Sequence, residues 1–584
     1  MKNLFFILFI FSLNSYVFAQ ENIIWTNPEI SNILTGNFNP DDYMPGVVID
    51  DPAVIAAELN ERMDPSRLKV YLEEMSLFEN RNTGSDTLST TRGIGAARNW
   101  ALDQFQAFSD DEGGRMQVGF LQFDQEICSM GRHKNIVAVL PGMGPQFDES
   151  VLVEAHFDSR CDTACDGDCE AHGMEDNGSG SAVILELSRI LSRYSFNRTL
   201  IFMLTIGEEQ GLLGAEAMAQ WCQSNDVKLK AVLNNDIIGG VICGETASPP
   251  GCPSLNNVDS TNVRIYSRGV MNSPNKQLAR WTKLQYEEMI VPIESNTNII
   301  NILTPEDREG RGGDHIPFPG KGFPSLRFTS ANEHGDGNPS QPDYHDRQHT
   351  STDRLGIDTD GDSVLDSFFV DFNYLGRNGV INGISLAMAA CSPPAPLNFE
   401  MEEIPGGFEF TIDDPNDIGR YRVAFKEISG NEWVELRDYT AKVDSFIGLP
   451  TGFYILSACT VDENGIESLF SRERFQSTTG ITTSTQELQI RKSLVHLMQN
   501  TPNPFDEATM INVIVEGRID YKEASILVHD LDGKEIKKFP LELNLGLNEV
   551  LYSHNHHGFI PGVYAYSLII DGEIFDTKKM IYAY

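Results

Sequence analysis

Six side chains stand at the ends of successive apolar runs: His156 and Asp158 in VEAHFDS, Asp176 in GMEDNGSGSA, Glu208 and Glu209 in TIGEEQGLLGA, and Asp236 in NNDIIGG. Imidazole nitrogen and carboxylate oxygen are donors that Zn²⁺ accepts. Several carboxylates with two histidines would supply enough of them for two ions sharing one carboxylate. A second histidine is therefore expected. The candidates are His315 in GGDHIPF, His345 in PDYHDRQ and His349 in RQHTSTD. Taken singly, a histidine or aspartate in such a place would be a helix cap or a hydrogen-bonded surface group. Five acids and a histidine in the same relative position make a set, and the set points to metal-assisted chemistry.

The elements that must position these residues follow from apolar spacing. Short apolar runs at 135–140, 151–155, 199–206, 231–235 and 325–329 alternate with helical patterns at 179–194, 214–223 and 277–290, the first of which carries Val183, Leu185, Leu187, Ile190 and Leu191. Alternating strand and helix over 51–390 predicts an α/β fold with a mostly parallel, doubly wound sheet, whose ligands bind outside the carboxyl ends of the strands. Gly178 and Gly180 suit a loop turning tightly into a helix. Composition shifts after Cys391. The run Pro393-Pro394-Ala-Pro396 is a stiff connector, 393–476 reads as a small all-β sandwich, 477–490 (with STTGITTST) as a flexible linker, and 491–584 as a second all-β sandwich broken by turns at Asp532-Gly533, Pro561-Gly562 and Asp571-Gly572.

The chain of 584 residues has 84 acids against 44 Lys and Arg, a net charge of −40, with 41% hydrophobic residues and 28 Pro. Those proportions are globular, so the acidity is a surface property, and a surface of that sign would repel nucleic acid. Lys2 followed by the apolar run 4–13 and by Val17-Phe18-Ala19 reads as a signal peptide over 1–19, leaving 20–50 as an N-terminal segment or propeptide. The run is too short to cross a bilayer, and no later run approaches a spanning helix, so a transmembrane segment is not expected. In a secreted chain the nine cysteines are disulfide material, with at least one left unpaired.

In order and in residue type, these motifs resemble the cocatalytic zinc exopeptidase family that contains secreted bacterial leucyl aminopeptidases, glutaminyl cyclases and transferrin-receptor-like proteins. The resemblance spans about 51–390 and implies two Zn²⁺ per chain: one on His156 and Asp236, the other on Glu209 and a later histidine, with Asp176 bridging. It implies Glu208 as general base and Asp158 as the acid orienting His156. His349-Thr-Ser-Thr-Asp353 fits the family's HTxxD-like ligand segment, with His345 as runner-up, Asp353 standing behind the ligands, and Asp314-His315 in a segment that lines the site without ligating. These parts suit hydrolysis of an amide, so the expected activity is a secreted aminopeptidase acting on peptides with a free N-terminus. The rivals are a glutaminyl-peptide cyclotransferase on the same fold and a catalytically inactive surface-binding protein.

Cys161, Cys165 and Cys169, with His172 nearby, lack the two-residue spacing of zinc knuckles and are expected as a disulfide-stapled loop beside the site. Cys243 and Cys252 would close another loop. Asp358, Asp360, Asp362 and Asp366 in DTDGDSVLD resemble acidic calcium loops and offer a candidate Ca²⁺ site, with an acidic surface turn as the alternative. Residues 393–476 resemble a fibronectin type III module through Tyr421-Arg-Val423, Gly448-Leu449-Pro450 and Asp462-Glu-Asn-Gly465. Residues 491–584 resemble the sorting domain of type IX secretion through 499–505 (QNTPNPF), Asp532-Gly533-Lys534, Pro561-Gly562-Val563-Tyr564 and Lys578-Lys579-Met580. That resemblance implies the type IX machinery as a partner and a secreted or surface-attached location. His554, His556 and His557 read as solvated turn residues.

Overall fold

Among the described residues nine strands make the sheet that carries the site: β1 (Glu21–Trp25), β2 (Gln117–Ile127), β3 (Met130–Leu140), β4 (Glu149–His156), β5 (Thr199–Thr205), β6 (Lys228–Asn235), β7 (Asn262–Tyr266), β8 (Ile299–Ile302) and β9 (Ser325–Ser330). The computed structural model describes residues 20–582 except 244–253, 270–271, 309–310, 333–346, 428–429, 451–452, 478–491, 493, 501–502, 506–507, 516–520, 531–533, 545 and 554–561. The expected signal peptide, His345, Cys252, most of the 477–490 linker, the Asp532-Gly533 turn and His554, His556 and His557 lie outside the described residues.

The strand order is β1-β2-β3-β5-β4-β6-β9-β7-β8. Strands β5, β4, β6 and β9 pair in parallel, as the alternation of strand and helix predicts. Both flanks are different. Strand β1 runs antiparallel to β2, β2 to β3 and β3 to β5, while β7 runs antiparallel to β9 and parallel to β8. The α/β doubly wound sheet is therefore mixed, with its parallel character at the centre. The reason is local: only Cys128 and Ser129, both at positive φ (50° and 64°), join β2 to β3, and a two-residue turn of that hand makes a hairpin.

Helices α1 (Pro28–Leu34), α2 (Pro52–Arg62), α3 (Pro65–Ser76), α4 (Gly93–Asp111), α5 (Gly180–Leu191), α6 (Leu213–Ser224), α7 (Pro274–Met289) and α8 (Phe372–Cys391) cover the two faces. Central strands covered on both sides need apolar residues throughout, and every residue of β5 and β9 is buried. One core lies under α2 to α5, α7 and α8, and a second joins α1 and α6 to the opposite face. Helix α8 passes so close to α2 and α5 that a Cβ on Gly383 would stand 2.8 Å from Leu187 and Leu59. Segment 20–50 belongs to this unit, since Ile30, Ile33 and Leu34 are buried and Trp25 meets Trp221 edge to face. No helix among the described residues is long and apolar enough to cross a membrane.

Beyond Cys391 two β units follow, each with seven strands among the described residues. The first has a three-stranded sheet (Asn398–Ile404, Gly407–Asp413, Val443–Ile447) facing a four-stranded one (Tyr421–Glu427, Glu435–Tyr439, Phe453–Thr460, Arg474–Ser477), around Phe399, Phe408, Phe410, Val423 and Phe446. It sits on α7 through a buried polar seam: Gln277 donates to Ser471 O (2.9 Å), Trp281 Nε1 to Glu467 O (3.1 Å), and Arg280 pairs with Glu473 at 2.5 Å. The last unit repeats the three-plus-four arrangement between Val495–Leu497 and Glu573–Tyr582.

Candidate metal centre

Parallel register brings the carboxyl ends of three central strands level, with His156 opposite Thr205 and Glu154 opposite Asn234. His156 ends β4, Glu208 and Glu209 follow β5, and Asp236 follows β6. The turn at Met174–Ser179 swings Asp176 over the same edge. Its Oδ1 lies 3.0 Å from His156 Nε2, which is also 3.5 Å from Asp236 Oδ1. Its Oδ2 lies 3.1 Å from His349 Nε2, which is 3.3 Å from Glu209 Oε2. Two triads result, His156–Asp176–Asp236 and Asp176–Glu209–His349, each with three donor atoms within 4.8 Å of one another and Asp176 common to both.

Polar groups remote in sequence hold this arrangement. The Asp158 carboxylate accepts the Thr83 hydroxyl (3.0 Å) and the backbone N–H groups of Glu208 (3.3 Å) and Glu209 (3.4 Å), and its Oδ1 stands 3.7 Å from His156 Nδ1. Asp158 thus fastens the Glu208-Glu209 turn to the end of β4 as well as facing His156. The two oxygens of Asp353 accept Glu175 N–H and Asp176 N–H, each at 3.0 Å. Gln348 donates to Asp176 Oδ2 at 2.7 Å. Fully buried Arg81 ties the strand end to the turn by donating to Phe157 O (2.9 Å), Gly173 O (3.0 Å) and His172 O. Arg327 reaches Asp236 Oδ2 (3.0 Å), Asp307 Oδ2 (2.9 Å) and Gly312 O (2.8 Å). Thr83, Arg81, Gln348 and Arg327 carry no motif that marks them in the sequence. Arg327 alone follows from register, being opposite Asn234 on the neighbouring strand.

Buried acids crowd this edge. Burial, then the field of Asp176 and Glu208, pushes Glu209 well above the usual carboxylate range. Burial, together with Asp236, Asp314 and Asp176, does the same to Glu208 against the pull of His156. Burial opposes ionisation of Asp176, yet its contacts with His156 and His349 hold it well below that range. Burial likewise opposes ionisation of Asp236, and Arg327 and His156 outweigh it. Burial lowers His349, Asp176 pulls it back up, and the charges of Arg160 and Arg311 lower it further. His156 Nε2, Asp236 Oδ1 and Glu209 Oε1 are buried with no hydrogen-bond partner. Orphaned donor atoms converging among buried acids are what a divalent cation satisfies, so the residues fit zinc.

The other candidates fall outside the triads. His315 is buried with Nε2 3.0 Å from Glu306 O, and its neighbour Asp314 contacts Thr205. Cys161 pairs with Cys169 and Cys128 with Cys165, which makes the expected stapled loop and leaves no thiolate for metal; His172 Nδ1 faces Ser76 O. Cys243 is disulfide-bonded. Cys222, Cys391 and Cys459 are free and buried. The calcium candidate is an exposed turn between β10 (Gly356–Ile357) and β11 (Ser367–Phe368). Asp358, Asp360 and Asp366 converge there, but Asp358 accepts the N–H groups of Asp360, Gly361 and Ser363, Asp366 accepts from Thr359, and Asp362 accepts Val364 N–H. The carboxylates are engaged by their own loop, so calcium gains no support and the acidic-turn alternative describes the segment.

Residues 135–248 match peptidase family M28. A probable zinc metalloprotease of Pyricularia oryzae is 31% identical over 396 residues, covering 64% of this chain and 74% of that protein. The chain belongs to peptidase family M28. The segment matched to M28 contains His156, Asp158, Asp176, Glu208, Glu209 and Asp236, whereas His349 and Arg327 lie beyond it. A probable zinc metalloprotease of Leptosphaeria maculans is 28% identical over 409 residues, covering 67% of this chain and 90% of that protein. The LapA aminopeptidase of Legionella pneumophila, a solved structure, aligns over 59% of this chain and 78% of its own at 17% identity and a TM-score of 0.41.

Proposed function

We propose that this M28 peptidase is a secreted aminopeptidase holding two zinc ions, one in each triad. The observation that carries the reading is Asp176, whose two carboxylate oxygens face different histidines, 3.0 and 3.1 Å away. Zinc bound in the triads would supply Lewis acidity, which makes a water more acidic and polarises the carbonyl of a scissile amide. Glu208 belongs to neither triad and lines the cavity between them. A carboxylate at that position, beside the ligands but not one of them, suits a group that takes a proton from the attacking water and returns it to the leaving nitrogen. Asp158 keeps Glu208 aimed by holding its backbone N–H. Export is supported by the apolar leader in the sequence and by Cys128–Cys165 and Cys161–Cys169, bonds that persist in oxidising compartments. The β units beyond residue 391 are read as a fibronectin type III-like spacer and a sorting domain for the type IX machinery.

The test is release of p-nitroaniline from aminoacyl p-nitroanilides by chelator-stripped protein, without and with added zinc. Turnover that depends on zinc and requires a free substrate amine is expected. Cyclisation of N-terminal glutamine without amide hydrolysis would overturn the reading.

A further inference from the structure

The cavity over the triads holds about 290 Å³, near the lower end of small-molecule sites. Apart from ligands and base, its walls are Arg160, Gly211, Leu212, Arg311, Gly312 and Gln348, so Leu212 is the one large apolar side chain among the described lining residues. A site built for leucine would be walled mainly by apolar groups. This one carries two guanidinium groups in a chain of net charge −40.

Both guanidinium groups are held toward the reacting edge. Arg160 Nε stands 3.8 Å from Glu209 Oε2, on a loop clamped by Cys161–Cys169, by Cys128–Cys165 and by Gln210 donating to Ala164 O at 2.6 Å. Arg311 Nη2 donates to Gln348 Oε1 (2.6 Å), and Gln348 Nε2 reaches Asp176. Both side chains line the cavity together with Glu209 and His349 of the second triad. The planar guanidinium offers several N–H donors in a fork that matches a carboxylate, and both residues are only partly buried.

We propose that Arg311 and Arg160 select substrates bearing a carboxylate close to the scissile amide. The inference rests on the aminopeptidase reading and names its substrate class. The carboxylate has two sources: the side chain of an N-terminal Glu or Asp, or the terminal carboxylate of a dipeptide, one residue beyond the scissile bond.

The experiment measures kcat/KM of the zinc-loaded full chain on two pairs, Glu- against Gln-p-nitroanilide and Leu-Gly against Leu-Gly amide, for the wild type and for Arg311→Met, Arg311→Lys and Arg160→Met. Zinc content and melting temperature are recorded for each protein. A charge-assisted pair lost from the bound substrate predicts that one wild-type ratio is at least about tenfold. That ratio should fall toward one in Arg311→Met, chiefly through KM, and recover partly in Arg311→Lys. A collapse of the Glu/Gln ratio assigns the side-chain source, and a collapse of the dipeptide/amide ratio the main-chain source. Because each ratio is taken on one protein, general damage to a variant cancels, and Arg160→Met tests the same point should Arg311→Met fold poorly. Wild-type ratios near one, or ratios unchanged in both Met variants, overturn the proposal while leaving the aminopeptidase reading intact. Absence of any amide hydrolysis overturns that reading and this inference with it.

Discussion

Replacing Arg327 by Met removes the larger of the two positive charges that face Asp236, the other being His156, while keeping most of the aliphatic stem. Arg327 is fully buried and joins Asp236 and Asp307, whose side chains are only 5% and 4% exposed. Asp307 keeps a second cation, Arg308, 3.0 Å away. Among the described residues Asp236 keeps His156, so the loss concentrates there. Breaking a buried ion pair from one side costs about 3–5 kcal/mol. At roughly 2 °C per kcal/mol for a unit of this size, the variant should melt about 6–10 °C below the wild type in chelator. Zinc should narrow that gap, because an ion held by the His156–Asp176–Asp236 triad would restore positive charge beside Asp236. The assay is calorimetry of both proteins in chelator and in saturating zinc. A gap under about 2 °C in chelator, or one that widens with zinc, would refute the claim that Arg327 stabilises a metal-ligating Asp236.

Glu208→Gln should keep the zinc content of the wild type, since Glu208 is in neither triad, and lower kcat by about 10²–10⁴ for want of a proton acceptor; metal analysis and steady-state kinetics check both halves. Asp158→Asn keeps the shape but weakens the support of Glu208 N–H and Glu209 N–H, and should cost about 10–100-fold in zinc affinity or kcat/KM, read by zinc titration and turnover. Lys426 is 1% exposed on the seam with α7, and burial pushes its ammonium down to about 8. The folded protein therefore binds fewer protons than the unfolded chain between about pH 8 and the ordinary lysine value, and stability should rise with pH across that window. The strain is fully present below it. Lys426→Met should flatten that rise, by at most about 3 kcal/mol, in denaturant titrations at pH 7.5, 9 and 10.5.

The residues that end β4, β5 and β6 were legible because a parallel strand buried on both faces is almost all apolar, so the first acid or histidine after the run stands out, as His156, Glu208, Glu209 and Asp236 do. His349 was not legible from spacing, since it lies on a turn far along the chain; only the family resemblance separated it from His315 and His345. The flanks of the sheet were hidden because the β2–β3 hairpin turns on Cys128 and Ser129, where no Gly or Asn advertises the positive φ. The supports Thr83, Arg81, Gln348 and Arg327 were hidden for another reason. Their work is to compensate charge and orphaned N–H groups that arise only once distant segments meet, so no local pattern encodes them.

Zinc stoichiometry across the shared ligand tests the central claim most directly. Chelator-stripped wild type, titrated calorimetrically with zinc and checked by elemental analysis, should take up two ions per chain, His349→Ala should keep one, and Asp176→Ala should lose tight binding of both. A wild type that saturates at one ion, or an Asp176→Ala protein that still holds two, would contradict the account.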